Sequence, residues 1–219
     1  MKSEFVGVAA AAAQGWADAS RGTAGFASAA GRDIGADTAT EGHALRRAQA
    51  GELRAFGELM RAHQGAIFSL ALRMLRVRED AQELAQDVFL LLHRHLPGIT
   101  STAHLRHWLR RTVCHRAIDR LRSRPRQWGT PLEAVALQEA ESEHGDPLLE
   151  RHLRRLVGEL SPIARAVMLL RYQEDLDPPD IAELLALPLN TVKSHLRRSL
   201  ALLRERCDLQ SPGAESNGR

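Results

Sequence analysis

The stretch LSPIARAVMLLRYQEDLDPPDIAELLALPLNTVKSHLRRSLALLRE, residues 160–205, decides the fold because it predicts two short helices joined by a tight turn. Asp177 is a candidate N-cap with Pro178 at the first helical position, and this helix is expected to end near Leu185. After the turn, Asn190 is a candidate cap for a second helix. Apolar residues recur there at spacings of three and four: Val192, Leu196, Leu200 and Leu203. The pattern predicts a helix-turn-helix.

The second of these helices has a polar face outside its apolar stripe. That face comprises Asn190, Thr191, Lys193, Ser194, Arg197 and Arg198. The N-terminal half of the second helix of a helix-turn-helix enters the major groove, so we predict that these side chains contact bases and phosphates. A solvated charged face would explain the arginines equally well if they stood alone. The two capped helices and the short turn favour DNA binding.

A second informative segment is EDAQELAQDVFLLLHRHL, residues 79–96, which predicts an amphipathic helix. Its apolar positions at helical spacing are Ala81, Leu84, Ala85, Val88, Leu91 and Leu92. Its opposite face has four polar residues: Asp80, Glu83, Gln86 and Asp87. A solvated acidic face needs no partner, and that interpretation stays open from the pattern alone.

After a short loop, HWLRRTVCHRAIDRLRSR, residues 107–124, predicts a basic helix. Its inward positions are Trp108, Leu109, Val113, Ala117 and Leu121. Its outer surface is expected to carry Arg110, Arg111, Arg116, Arg120 and Arg122. Such a surface suits phosphate contacts.

These two segments, followed by the helix-turn-helix, resemble the extracytoplasmic-function (ECF) group of the bacterial sigma-70 family of RNA polymerase sigma factors, over about residues 44–206. The resemblance implies an all-α chain of two small helical domains, a region 2 bundle and a region 4 helix-turn-helix, joined by a flexible acidic linker. It implies that region 2 binds core RNA polymerase and the −10 promoter element, and that region 4 binds the −35 element. An anti-sigma factor is a common partner in the family, so it is a candidate partner here.

The resemblance assigns roles to the residues found above. The polymerase-binding candidates are Asp80, Glu83, Gln86 and Asp87. The −10 candidates are Arg110, Arg111, His115, Arg116, Arg120 and Arg122, and the polar face of the second helix is assigned to the −35 element. The chain departs from the family pattern at three positions: His115 stands where Asn is common, and Ala186 and Asn190 stand where Gly is frequent. Ala tolerates a left-handed conformation less well than Asn does.

The domain boundaries follow from composition and period. Residues 1–42 are rich in Ala and Gly and are expected to form a disordered extension, because they cannot bury enough apolar surface to offset the entropy of ordering. We expect region 2 at 43–123, a linker at 124–147, region 4 at 148–206 and a disordered tail at 207–219. The expected helices span about 43–62, 64–75, 79–95, 102–123, 148–158 and 161–173, followed by the helix-turn-helix pair. Ser161 is the candidate cap of the helix at 161–173.

The charge pattern agrees with nucleic-acid binding. The formal net charge is only +3, yet the pI is about 9.4 and the charges lie in blocks. Eight arginines and one acidic residue fall between residues 102 and 128, and five acidic residues with no Lys or Arg fall between 129 and 147. Basic blocks supply salt-dependent phosphate contacts.

Several classes are not indicated. The cysteines, Cys114 and Cys207, are far apart, so no disulfide framework is predicted and a reducing cytoplasm is the expected compartment. No apolar run is long enough for membrane insertion. The ten histidines lack companion ligands at metal-binding spacing, and no catalytic motif or cofactor site is found. We therefore expect no enzyme, metal, cofactor or small-molecule substrate.

The alternative is a free-standing helix-turn-helix regulator that binds operators as a dimer. Such a regulator gains nothing from the acidic face at residues 80–87. A sigma factor needs two DNA-binding domains on a sufficiently long tether. A linker of about 24 residues spans at most about 80 Å, whereas two turns of DNA span about 70 Å. The tether is therefore long enough only if it is stretched.

Overall fold

The computed structural model describes residues 34–123 and 147–208. The predictions for residues 1–33, 124–146 and 209–219, which include most of the linker, lie outside the described residues. Within the described ranges all regular structure is helical, which confirms the all-α prediction. The α-helices are α1 (Ile34–Gln49), α2 (Leu53–Leu75), α3 (Arg78–His95), α4 (Thr102–Ser123), α5 (Pro147–Glu159), α6 (Pro162–Tyr172), α7 (Pro178–Leu185) and α8 (Leu189–Asp208). None of these helices is long and apolar enough to cross a membrane.

The first two helices differ in their bounds from the sequence prediction. α1 ends at Gln49, and Gly51 adopts a φ of 93° in the turn that follows. α2 then continues without a break through residue 63, where the sequence predicted a boundary. Glycine adopts a positive φ without steric cost, so the chain turns at Gly51. Neither Gly nor Pro stands at position 63.

The start of α1 also corrects the predicted extension. Residues 34–42 are helical, so the prediction of disorder was wrong for that part. The Glu41 carboxylate is only 10% exposed; it accepts a hydrogen bond from Arg106 of α4 and lies 2.7 Å from Nε2 of His63 in α2. Glu41, which lies within the predicted extension, therefore connects α1 to α2 and α4.

The inner faces of α3 and α4 form the centre of the first bundle, α1–α4. Their bounds agree with the predicted 79–95 and 102–123 to within one residue. α3 ends where Leu96–Gly98 forms a 3₁₀ turn that contains Pro97. The large side chains that are buried on the two helices include Leu84, Val88, Leu92, Leu105, Leu109 and Val113. Their spacing turns the polar residues of both helices outward.

The second bundle, α5–α8, begins with two helices close to their predicted bounds. The Ser161 hydroxyl accepts a hydrogen bond from the backbone N–H of Ala164 at 3.4 Å, which confirms Ser161 as the cap of α6. A small apolar cluster joins α5, α6 and α8 through Leu156, Leu160, Ala164, Met168 and Leu203.

The helix-turn-helix is confirmed as α7 and α8, with two corrections to its predicted caps. Asp177 precedes α7 as expected, but its carboxylate accepts a hydrogen bond from Nη1 of Arg171 at 3.0 Å instead of capping the helix. α8 begins at Leu189, so Asn190 lies in the first turn and is not the cap. The backbone amides of Thr191 and Val192, in the first turn of α8, donate hydrogen bonds to the carbonyl of Pro188 at 2.9 and 3.2 Å.

The turn between α7 and α8 passes through Ala186, which adopts the left-handed conformation at φ 52° and ψ 47°. The amide of Ala186 donates to the carbonyl of Glu183, and the amide of Leu187 donates to that of Ala182. These bonds satisfy carbonyls that the end of α7 would otherwise leave unpaired. The turn therefore depends on a conformation that alanine adopts at a cost.

The two bundles pack against each other. α4 contacts α6 and α7, and α2 contacts α6. The main apolar core is continuous across the boundary, and it includes Leu109 of α4, Leu170 of α6 and Ile181 of α7. The second bundle therefore lies on the helix that was predicted to face DNA.

Candidate functional site

The polar face of α8 is open along its N-terminal half. Asn190, Lys193, Arg197 and Arg198 are exposed, and Thr191 and Ser194 are half-buried. Val192 is fully buried beneath them and fixes the rotation of the helix against α7. Nε of Arg198 donates to the Ser194 carbonyl at 3.2 Å, which draws this side chain back along the helix. All six predicted side chains of α8 therefore lie on one accessible surface.

His195 lies beside this surface. Burial lowers the pKa of His195 below its ordinary value, and the nearby Arg198 lowers the pKa further. The imidazole is therefore neutral near pH 7. The positive charge on this part of α8 comes from Lys193, Arg197 and Arg198.

The basic surface of α4 is divided. Arg116 and Arg122 are exposed. Arg110, Arg111 and His115 are half-buried, and each of these side chains has a hydrogen-bond acceptor in the second bundle. The structure therefore places three predicted DNA contacts against protein.

These contacts form a row that we call the α4–α7 seam. Nε of Arg110 donates to the Glu174 carboxylate at 2.7 Å, in the loop between α6 and α7. Nη1 of Arg111 donates to the backbone carbonyl of Glu183 at 3.1 Å. Nε2 of His115 lies 3.1 Å from the backbone carbonyl of Leu184, which accepts a hydrogen bond from it. Both carbonyls belong to the last turn of α7.

The sixth predicted contact on α4, Arg120, turns towards α3. Its Nη2 donates to the Asp87 carboxylate at 2.5 Å and lies 3.4 Å from that of Glu83, and its Nη1 donates to the Asp80 carbonyl at 3.3 Å. Three of the four predicted polymerase contacts therefore share one arginine. Gln86 is exposed on the same side of α3.

One buried arginine was missed by the sequence analysis. Arg165 of α6 is only 7% exposed, and its guanidinium donates to the carbonyls of Met74, Gly158 and Leu160. Met74 lies in the last turn of α2 and Gly158 in the last turn of α5, so one cation serves two helix C-termini. Burial is the main cause that lowers the pKa of Arg165 to about 10, with a further contribution from Arg76. The side chain remains charged at pH 7.

The sequence carried weak signals for these missed contacts. Arg165 falls at a core position of an apolar helix, where a cation requires buried acceptors. The sequence does not show which acceptors those are, because Met74 is 91 residues away along the chain. The same holds for Arg110 and Glu174, which are 64 residues apart.

Two family models match the chain. Sigma-70 region 2 matches residues 59–127, and Sigma-70 region 4 matches residues 150–203. The two matches fall on α2–α4 and on α5–α8 respectively. A region 2 bundle is not expected of a free-standing dimeric regulator, so that alternative is not favoured.

Similar proteins agree with these matches. The chain is 33% identical over 157 residues to the ECF RNA polymerase sigma factor SigM of Mycobacterium tuberculosis, covering 70% of this chain and 78% of that protein. It is 30% identical over 160 residues to the RNA polymerase sigma-E factor of Streptomyces avermitilis, covering 71% and 86%. A solved structure of CnrH in complex with the cytosolic domain of CnrY has a chain of similar fold, with a TM-score of 0.59, 23% identity, and coverage of 78% of this chain and 99% of that chain. The chain therefore belongs to the ECF group of sigma-70 RNA polymerase sigma factors.

Proposed function

We propose that this sigma factor directs core RNA polymerase to promoters through three surfaces. α3 binds the polymerase, α4 binds the −10 element, and α8 binds the −35 element. The observation that carries the proposal is the open polar face of α8, held by a helix-turn-helix at the end of a chain with a region 2 bundle. Promoter-directed initiation needs both parts in one chain.

On α8, base recognition and phosphate binding are assigned to different residues. Lys193 and Arg197 are one helical turn apart and exposed, which suits entry of both into the major groove. Arg198 is held back towards Ser194, so it suits a phosphate beside the groove. Asn190, Thr191 and Ser194 supply short polar contacts at the start of the helix, where backbone N–H groups also favour phosphate.

On α4, Arg116 and Arg122 are available for the −10 element in the present conformation. Arg110, Arg111 and His115 reach DNA only after their contacts with the second bundle are released. Arg120 differs from these residues, because its contacts lie within region 2. We assign Arg120 to holding the acidic residues of α3 in position for polymerase.

On α3, the proposed polymerase contacts are Asp80, Glu83, Gln86 and Asp87. The Glu83 side chain is 68% exposed and that of Asp87 is 40% exposed, so both carboxylates are accessible despite their contacts with Arg120. A partner with basic side chains suits this face. An anti-sigma factor, a common partner in the family, is proposed to compete for the same surfaces.

Binding to core polymerase tests the assignment of α3. Asp87→Arg replaces an attractive charge with a repulsive one, and we expect affinity for core polymerase to fall at least tenfold, about 1.4 kcal/mol. The measurement is a titration of labelled sigma factor with core enzyme, with helix content checked by circular dichroism. Unchanged affinity would contradict the assignment.

A charge-swapped control separates polymerase binding from the contact within the chain. Asp87→Arg combined with Arg120→Asp restores an ion pair between α3 and α4 but leaves the wrong charge on the polymerase-facing side. We expect the double variant to bind core polymerase as weakly as Asp87→Arg does. Recovery of the parental affinity would show that the single variant acts only through Arg120.

A further inference from the structure

We infer that α1 fixes the start of α4 for promoter recognition, and that Gln49, at the end of α1, is the positioning residue. The inference rests on the proposed role of α4 at the −10 element. It concerns a helix that neither family match includes, because the region 2 match begins at residue 59 and α1 ends at Gln49. The segment that α1 holds is residues 96–101, which we call the α3–α4 turn.

The first support is the side-chain amide of Gln49. Its Nε2 donates to the backbone carbonyl of Leu96 at 3.0 Å and to that of Ile99 at 2.7 Å. Both acceptors belong to the α3–α4 turn, 47 and 50 residues away along the chain. The Leu96 carbonyl also accepts a hydrogen bond from the backbone N–H of Ile99 at 3.1 Å, inside the turn. The two protons of one amide therefore hold two points of the turn against α1.

The second support is Glu41, which lies about 12 Å before Gln49 along α1. Its carboxylate accepts a hydrogen bond from Arg106, near the start of α4, and lies 2.7 Å from Nε2 of His63 on α2. Burial lowers the pKa of His63 below its ordinary value, although the Glu41 carboxylate acts in the opposite direction. The imidazole is therefore neutral near pH 7, and Arg106 supplies the positive charge that pairs with Glu41. Polar contacts thus join α1 both to the α3–α4 turn and to α4 itself.

The hydrogen bonds inside the start of α4 cannot replace those from α1. The Ser101 hydroxyl accepts a hydrogen bond from the backbone N–H of His104 at 3.1 Å, and the backbone N–H of Thr100 donates to Nδ1 of His104 at 3.2 Å. These bonds join residues three and four positions apart, so they shape the start of α4 but move with it. The buried apolar side chains of the turn attach it to the core, but such contacts are non-directional. The bonds from Gln49 supply the direction.

The two ends of α4 are held by different helices. Near the C-terminal end, Arg120 is bound to Asp87 of α3, whereas the start is held by α1. If the start loosens, the first turns of α4 can move relative to Arg120. Arg110 and Arg111 lie in those turns, about 15 Å before Arg120 along the helix. Binding residues need to be held to within about 0.5 Å of their working positions, so the proposed DNA contacts of this part of α4 depend on a fixed start.

The test uses the full chain bound to core polymerase and selects bound DNA from a promoter pool that is randomised at the −10 element. The decisive variant is Gln49→Met, which keeps the length of the side chain and removes its donor. Gln49 is exposed apart from its amide contacts, so the variant should keep the parental melting temperature and affinity for core polymerase. We expect the enrichment of the preferred −10 sequence to fall about threefold. Parental enrichment in Gln49→Met would overturn the inference.

The matched control is His43→Met. His43 is exposed on the same helix, and within the described residues no hydrogen bond joins it to the α3–α4 turn. We expect His43→Met to keep the parental enrichment. A loss equal to that of Gln49→Met would show that the effect does not come from the amide, and would overturn the inference.

A rescue variant tests whether the donor itself is what matters. Gln49→Lys keeps a long side chain with N–H donors for the two carbonyls, so it should retain most of the parental enrichment. His43→Lys adds the same charge to α1 away from the turn, and it corrects for general attraction to DNA. A Gln49→Lys variant as impaired as Gln49→Met would contradict a positioning role for the amide.

A selection from a pool randomised at the −35 element separates positioning from general damage. The contacts of Gln49 lie within region 2, so Gln49→Met should keep the parental −35 preference. A merely destabilised chain would lose both preferences together. Equal losses at the two elements would overturn the inference.

Failure of the inference can be distinguished from failure of the proposed function. Arg116→Ala combined with Arg122→Ala removes the two exposed arginines of α4, and it should weaken binding to all promoters in the pool. Parental binding by this double variant would contradict the proposed role of α4 at the −10 element. If the double variant binds weakly and Gln49→Met keeps the parental enrichment, the proposed function stands and the inference fails.

Discussion

α4 and α8 are both basic helices, but the structure gives their arginines different surroundings. On α8, Arg197 and Arg198 are exposed, and within the described residues Arg198 donates a hydrogen bond to its own helix. On α4, Arg110 and Arg111 are matched by acceptors of region 4, and Arg120 is matched by the acidic residues of α3. Arginine content therefore identifies a candidate DNA surface, whereas the packing around it decides which arginines can be used.

The arginines of α4 and α8 have different surroundings because the two helices pack against different numbers of neighbouring helices. α4 contacts α1, α2, α3, α6 and α7, so most directions around it lead to another helix. α8 contacts α5, α6 and α7, which lie on its apolar side. Its N-terminal half is therefore free to project from the molecule, as a helix that enters the major groove must.

The largest effect is expected from a substitution in the buried face of α4, which should lower the free energy of unfolding. Leu109 lies on the inner face of α4 and is 1% exposed. Leu109→Ala leaves a cavity in the core shared by both regions, and we expect the free energy of unfolding to fall by about 2–5 kcal/mol. The exposed Arg116 on the same helix is the control, since Arg116→Ala should change stability by less than about 0.5 kcal/mol. Urea denaturation measures both, and equal effects would show that α4 is not held from its inner face.

A smaller effect is expected from substitutions on the exposed face of α8, which should change DNA sequence preference or affinity. Arg197→Ala should remove about 1–3 kcal/mol of discrimination at one or two positions of the −35 element, because a base contact carries sequence preference. Arg198→Ala should weaken binding to all sequences alike and reduce the salt slope by about one. Selection from a randomised −35 element with the polymerase complex measures the preferences. The parental preference in Arg197→Ala would rule out base recognition by that residue.

The smallest effect concerns the turn that orients α8. Ala186 adopts a left-handed conformation that costs a residue with a Cβ about 1–2 kcal/mol. Ala186→Gly relieves that cost but gains entropy in the unfolded chain, so we expect a net stabilisation of about 0.5–1 kcal/mol. Ala182→Gly, in the interior of α7, is the control and should destabilise by about 1 kcal/mol. Thermal unfolding compares the two, and a loss of stability in Ala186→Gly would contradict the account of the turn.

Local rules were sufficient where a residue acts on its near neighbours. Ser161 caps α6 and Pro178 starts α7, as their positions in the sequence predicted. The same rules failed at Asp177 and Asn190. The Asp177 carboxylate is drawn away by Arg171, and the carbonyl of Pro188 takes the place of an Asn190 cap. Each failure has a competing hydrogen-bond partner that the pattern alone does not indicate.

The sequence predicted which polar residues share one side of a helix, but it did not predict which of them have partners within the chain. The sequence placed six residues on the outer side of α4, and the structure turns three of them towards region 4 and one towards α3. The sequence also did not predict the contacts of Glu41. It lies in the stretch that was expected to be disordered, yet its carboxylate is paired with His63 and Arg106.

The sequence predicted most of the helices, the helix-turn-helix and the order of the two regions, because helical periodicity and turn residues act within a few positions of one another. It did not predict the turn at Gly51 or the helical residues 34–42. Only the tertiary structure decided that Arg165 connects the ends of α2 and α5, and that α7 covers part of α4. Those contacts join residues 7 to 91 positions apart along the chain. Their partners are mostly backbone carbonyls, which every residue has and which no sequence pattern marks.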